Sequence, residues 1–402
     1  MKLRVFAFGL CLALGTIRCG GSSNGSRSTG PGQVDAGGNG GGGTDAGPAT
    51  DGGTDGGPAT DGGTVANECD GLSADPNATS IAIAPPAEAC GFAGSSDSSG
   101  NVALSGSSDL TTSKNWATYD RGGAHLGTLH AYGPVIPRES GFFGLDRLSN
   151  PTDPPNDYLH LWTFVPDGSG PSQNIGGFLC SATLQRTSAG GVLLMGYCGS
   201  GLRSASRVVW YDDAGSQKWS TSVGGSPAPT PPSAAAGDDG GNVLITIASD
   251  AVAGRPAGDL LGRWIAPDGS LPGDWFVLVA GNAAPPILQS LIGGGVAVMQ
   301  NGKWVAVVPP LGAPKSPPDW LASRPDHDFR VVRGRKAYAF TSRIVPRGAS
   351  GGPSVEVVAP SGLSCGTFDT KSTAATVGAD GTVIANSDEC TRRVWPGLLG
   401  AR

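Results

Sequence analysis

Ser364 lies in Gly362-Leu363-Ser364-Cys365-Gly366, the spacing of a hydrolase nucleophile elbow. That motif works where a strand turns sharply into a helix and lifts the serine hydroxyl clear of the backbone. Here it follows Pro360-Ser361-Gly362 and leads into the strand-like Thr367-Phe368, so a hairpin turn is the expected reading. His125 and His130 lack the i, i+4 relation of a helical zinc pair and have no acid between them. His160 sits among Leu159, Leu161 and Trp162 in a strand-like run. His327 is flanked by Asp326 and Asp328, donors that suit a cation, although a solvated loop is the simpler expectation. No residue is therefore assigned a catalytic, cofactor-binding or metal role, and no cofactor is expected.

The cysteines suggest structure rather than reaction. Cys11 falls in an N-terminal apolar run and Cys19 just beyond it, leaving Cys69, Cys90, Cys180, Cys198, Cys365 and Cys390. An even number in an exported chain implies disulfides. Cys180 and Cys198 lie on either side of the Ser188-Ala189-Gly190-Gly191 turn and should face each other across a hairpin. Cys365 and Cys390 flank Ala379-Asp380-Gly381, and Cys69 with Cys90 would tie the start of the domain to Ile81-Ala82-Ile83. A metal site fails on spacing, with no C-x2-C and no adjacent histidine.

What must position these residues is a repeat. Glycine turns run directly into short β-branched strands at Gly100-Asn101-Val102, Gly191-Val192-Leu193, Gly241-Asn242-Val243, Gly295-Val296 and Gly381-Thr382-Val383. Gly334 before Ala337-Tyr338 and the weaker Gly141-Phe142-Phe143 extend the series. A second series, out of phase, ends aromatic-rich strands in Asp/Pro-Gly turns at Gly123, Gly168, Gly215, Gly269, Gly312 and Gly362. Each recurs roughly every forty to fifty residues, the period of four-stranded propeller blades, which bury their faces only against neighbours. The expected fold is all-β, a seven-bladed β-propeller, with six or eight blades as alternatives. Trp116, Trp162, Trp210 and Trp264 recur at one place in the repeat and should pack between blades; Trp320, beside Pro317-Pro318, is the best candidate for an exposed aromatic. Ring closure should bring the segment 79–84 beside the last strand, near Trp395, leaving no free edge.

Composition agrees. With 67 Gly, 32 Pro and 15% charged residues the chain is turn-rich, and a net charge of −6 removes the basic footprint of a nucleic-acid binder. Lys2 and Arg4 before the apolar Val5 to Leu14 read as an export signal over 1–19, too short to span a bilayer as a mature helix. Residues 20–66 repeat Thr-Asp-Gly-Gly-type units with almost nothing to bury, and should form a disordered linker before a domain over 67–402. Cys19 followed by Gly20-Gly21-Ser22-Ser23 resembles the start of a mature bacterial lipoprotein, which implies lipid attachment at Cys19 and a membrane as partner. The residues before it are Thr16-Ile17-Arg18, and Ala13-Leu14-Gly15 offers an ordinary cleavage site instead.

One repeat, Val208-Val209-Trp210-Tyr211-Asp212-Asp213-Ala214-Gly215-Ser216-Gln217-Lys218-Trp219, resembles those of quinoprotein-like propellers, in which a strand, an Asp, a Gly and a Trp four places later dock adjacent blades. The redox members of that family carry acidic metal ligands and a vicinal disulfide, and this chain has no adjacent cysteine pair, so the resemblance implies architecture and not quinone chemistry. The expected function is an extracytoplasmic, membrane-tethered binding module for a protein or carbohydrate ligand, at the outer membrane or cell surface, or else periplasmic or secreted. The rival readings are an enzyme using the central funnel (hydrolase, lyase or oxidoreductase) and a structural lipoprotein of envelope assembly.

Overall fold

The computed structural model describes residues 68–72, 74, 78–84, 93–105, 113–149, 157–177, 179–198, 205–223, 232–252, 254–332, 334, 336–342, 354–372, 374–386 and 391–399. The signal, the linker, Cys19, Cys90 and Cys390 lie outside them. After a short strand β1 (Ile81–Ile83), the strands β2 (Ala93–Ser96), β3 (Val102–Ser105), β4 (Ser113–Tyr119), β5 (His125–Pro137), β6 (Phe142–Ser149), β7 (Asp157–Phe164) and β8 (Ser172–Gly177) follow. The seven from β2 to β8 form one sheet in chain order. Next come β9 (Leu179–Arg186), β10 (Val192–Cys198), β11 (Ala205–Tyr211) and β12 (Gln217–Ser222), then β13 (Ala234–Gly237), β14 (Val243–Ala248), β15 (Leu260–Ile265) and β16 (Phe276–Val279). Each of these two sets is a four-stranded sheet.

A three-stranded sheet of β17 (Ile287–Ser290), β18 (Val296–Gln300) and β19 (Lys303–Val308) precedes a single helical turn, α1 (Asp319–Ala322). The strands β20 (His327–Val332), β21 (Ala337–Ser342), β22 (Ser354–Val358) and β23 (Ser364–Asp369) form the next sheet. The last holds β24 (Ala375–Val377), β25 (Val383–Asn386) and β26 (Arg392–Trp395), with β1 added to its outer edge. Every neighbouring pair is antiparallel, as short strands joined by tight turns must be.

β5 explains the seven-stranded sheet. Its first part pairs with β4 as far as Tyr132, and its last part pairs with β6 through Ile136 and Pro137. Between them the register breaks at Gly133, whose φ of 85° only glycine adopts without strain. One strand therefore serves as the outer member of β2–β5 and the first member of β5–β8.

The faces of successive sheets bury each other. β3 and β4 pack against β25 and β26 through Val102, Leu104, Tyr119, Ile384 and Val394. Trp116, Leu129, Val135, Phe142 and Phe164 fill the space between the two halves of the seven-stranded sheet. Equivalent cores follow around the molecule, at Leu161 with Leu194, at Ile245 with Trp219, and at Trp264 with Val298. The last two join Trp304 with Phe340, and Phe368 with Trp395. The first strands of consecutive sheets touch in turn, β2 to β5, β9, β13, β17 and β20, and β24 touches both β21 and β2. The circuit is closed. It is a β-propeller arrangement, sheets too small to hide their own faces completing one another.

Closure follows the expected route: Ile81 pairs with Val394 and Ile83 with Arg392, so a strand from one end of the domain covers the edge left by the other. The three-stranded sheet has its edge covered differently. The segment after β19 makes one bridge, Val307 to Lys315, and Pro314, Pro317 and Pro318 around it lack the N–H groups a full ladder needs. Helix-poverty also holds among the described residues, where α1 and one 3-10 turn at Ser249–Ala251 are the helical elements.

Candidate functional site

The two ends of the circuit are built differently. In an up-and-down four-stranded sheet the turn between strands one and two and the turn between strands three and four lie at the same end. Both glycine-turn series therefore share one end of the ring. There the inner turns are bonded from sheet to sheet. The buried Asp97 carboxylate accepts N–H groups from Ser99 (2.9 Å), Asn101 (2.8 Å) and, in the neighbouring half-sheet, Gly141 (2.7 Å), together with the Asn101 side-chain amide (2.8 Å). Burial pushes the Asp97 pKa up against these bonds. Asp238 holds the backbone N–H and side-chain amide of Asn242 in the same way.

The linkage continues around this end. Ser96 Oγ donates to Asp380 at 2.7 Å, Ser188 Oγ to the Gly237 carbonyl at 3.0 Å, and the Gly293 N–H to Asp239 at 3.1 Å. The Ile292 N–H donates to the Tyr338 hydroxyl at 2.9 Å, and burial raises that phenol to about 12. Arg138 lies across the Phe143 ring and donates from Nε to the Asp213 carbonyl at 2.7 Å; desolvation lowers its pKa. The outer turns look inward as well. Asp120, Asp167, Asp212 and Asp268 each fold their carboxylate onto N–H groups of their own turn. Hydroxyls of Ser169 and Ser270 hold Asp167 and Asp268 below the usual carboxylate range. The carboxylates and hydroxyls named here are thus spent on the protein itself, while Arg121, Glu139 and Lys336 at the same end are exposed.

The opposite end carries the longer connections, including those from Ser105 to Ser113, Ser149 to Asp157, Cys198 to Ala205, Ser222 to Ala234 and Ser342 to Ser354. Its described part spans the sheets from β13 to β23. Ser249 Oγ donates to the Pro256 carbonyl (2.6 Å), and Asp259 accepts the Gly281 N–H (2.8 Å). The buried Gln300 donates from Nε2 to the Ala284 carbonyl (2.7 Å), and the Asp326 N–H donates to the Gly302 carbonyl (2.7 Å). Arg324 makes a two-pronged pair with Glu356 at 2.8 and 2.7 Å over the Phe340 ring, which lowers the Glu356 pKa. Neighbouring connections are thus tied to one another while Arg255, Asn301 and Lys303 stay exposed. The described part of this end is a hydrogen-bonded polar surface.

Reactive constellations are not assembled among the described residues. Ser364 opens β23, and Cys365 beside it is bonded to Cys69, so the elbow motif is a hairpin turn, as expected. His125 packs edge-on to Tyr119, His130 meets the Asn115 amide oxygen, and His160 lies 3.4 Å from Ser172 Oγ. His327 Nδ1 donates to the Pro325 carbonyl, and no three of the described His, Cys, Asp and Glu residues gather to hold a metal. A small recess of about 60 Å3 opens between β8 and the β10–β12 face, lined by Ile175, Leu194, Gly196, Arg207, Val209 and Ser220, and brings no nucleophile to a base.

The disulfide expectations need correction. Cys69 is bonded to Cys365, 296 residues away, so Cys69 is not paired with Cys90 and Cys365 is not paired with Cys390. The cause is topological: closure brings the start of the domain onto the sheet that precedes the last, with the two Cα atoms 5.1 Å apart. Cys180 and Cys198 do occupy neighbouring strands, Cys180 at the irregularity in register opposite Tyr197 and Cys198. Trp320 is also corrected. It is half-buried, stacked on Tyr338 at 5.3 Å, because α1 takes the place of an outer strand and needs an apolar side facing β21. Trp116, Trp162, Trp210 and Trp264 pack between sheets as expected. So does Trp219 of the quinoprotein-like repeat: a Cβ on Gly269, in the next sheet's turn, would lie 2.8 Å from Trp219 Cβ. The bonded aspartates were missed, although Asp97-x-x-Gly100-Asn101 and Asp238-x-x-Gly241-Asn242 share one spacing.

No protein-family model matches the chain, and no curated protein matches it in sequence. Among solved structures it is similar to BBS1N in its complex with ARL6DN, at 15% identity and TM-score 0.38 over 83% of this chain and 96% of that one. It is similar to the quinohemoprotein alcohol dehydrogenase from Comamonas testosteroni, at 10% identity and TM-score 0.36 over 76% of this chain and 65% of that one. It is also similar to a gluconolactonase from Xanthomonas campestris, at 16% identity and TM-score 0.32 over 60% and 78% of the two chains.

Proposed function

We propose that the chain is an exported seven-bladed propeller, tethered to a membrane through its N-terminal segment, that binds a partner with the end carrying its longer connections. The count takes β2–β5 and the last part of β5 through β8 as two blades sharing one strand. Seven inter-sheet cores around the circuit support it. Attachment at Cys19 is supported by the charged and apolar residues before it and the Gly-rich segment after it.

The observation that carries the binding reading is the asymmetry of the two ends. One joins its inner turns from sheet to sheet through Asp97, Ser96 and Ser188; the other ties its connections to one another and leaves side chains such as Asn301 and Lys303 outward. Rigid surface loops on a scaffold are where recognition is placed. A photo-crosslinking residue at Arg255 or Asn301 of the full chain in its own cells should give covalent adducts, and one at Asp167 or Asp268 should not. Adducts confined to the second pair would reverse the assignment of ends. Palmitate labelling tests the anchor separately: it should vanish in Cys19→Ser, and persisting label would remove Cys19 from the account.

A further inference from the structure

We infer that the Cys69–Cys365 bond is a load path, which passes tension from the N-terminal segment into β23 and keeps it off the strand that closes the ring. The inference rests on the reading that the protein is held through its N-terminal segment.

The closing strand is the weak member of the circuit. β1 has three residues, paired with β26 at Ile81, Ala82 and Ile83, and its apolar contribution is that of Ile81 and Ile83. Short terminal strands open locally well below the free energy of global unfolding. A pull arriving directly on Ile81 would peel these pairs from their end, exposing the edge of β26 and the core beneath.

The chain is fixed upstream of that point. Counting from the N-terminal side, the described residues first meet Glu68, whose carboxylate accepts the Ser361 hydroxyl, then the Cys69–Cys365 bond, then Leu72, buried among Val357, Phe368 and Leu399. These contacts are to the sheet β20–β23 and the core it shares with the last sheet. β23 is paired along its length with β22, so load entering at Cys365 spreads over a four-stranded sheet. Residues 70–80 then lie between the covalent fixing and β1, downstream of the point where a pull from the N-terminal side is taken up.

The test is a single-molecule extension of the full chain, held at its N-terminus and at a handle in the turn at Asp167. The oxidised protein should extend without an early step. Cys69→Ser with Cys365→Ser, or the folded wild type treated with a reducing phosphine, should show an early step of about 3.5 Å per released residue as β1 leaves β26. Moving the N-terminal handle to Ala78, between the bond and β1, should give that early step even with the bond intact, which separates the load path from any general loss of stability. Equal first steps in oxidised and reduced protein would overturn the inference, as would the lack of an early step from Ala78. Either failure leaves membrane attachment untouched, since that is read by labelling at Cys19.

Discussion

Asp97 and Glu356 are carboxylates in hydrogen-bonded settings that push them in opposite directions. Arg324 lowers the Glu356 pKa, so its pair adds stability above the unfolded carboxylate value and loses it as pH falls through the lowered one. Glu356→Gln should cost about 1–2 kcal/mol at pH 7, and the difference from wild type should shrink as pH falls below the ordinary carboxylate range, as calorimetry across that range would show. Burial raises Asp97, so that carboxylate withdraws stability as pH climbs from the ordinary range through its raised value. Asp97→Ala should still destabilise by about 3 kcal/mol, because Gly141, Ser99 and Asn101 lose a shared acceptor, measurable as a lower Tm at pH 7. In the sequence Asp97 and Asp120 look alike, each three residues ahead of a turn glycine. What separates them is depth in the sheet, one in an inner turn and one in an outer, and no local pattern records that.

At the scale of the strand and turn, the glycines fall into two kinds. Gly362 has φ of 95°, and a Cβ there would run into the Trp320 ring, since the turn of one sheet abuts the helix standing beside its predecessor. Gly366 has φ of 119° and open space around it. Gly362→Ala should therefore lower stability by about 2–3 kcal/mol and Gly366→Ala by about 1, the backbone cost alone, as urea unfolding of the two variants would show. The hairpins and their spacing were legible because each turn carries its own glycine, and so was the closing strand over Ile81–Ile83. Two departures were not. β5 changes partners at Gly133 with no loop to mark the place, and α1 replaces a strand where the repeat period continues undisturbed. The prolines at 314, 317 and 318 were the available sign of the second.

For the molecule as a whole, pairing cysteines across the nearest turn failed for Cys69 and Cys365 because a ring brings chain ends together. A non-reducing peptide map should contain a linked Cys69–Cys365 peptide that disappears on reduction, and Cys365→Ser should lower stability by about 2–4 kcal/mol. Recovery of Cys69 linked elsewhere would refute that arrangement. The candidate binding end was hidden for a similar reason: sequence lists connections in order, while function depends on which of them emerge together. The sharing of β5 bears on how such a molecule can change over generations. Duplication or loss of a unit needs two clean cuts in spacer chain, and the join inside β5 has none, so its two units can only be inherited, copied or deleted as a pair.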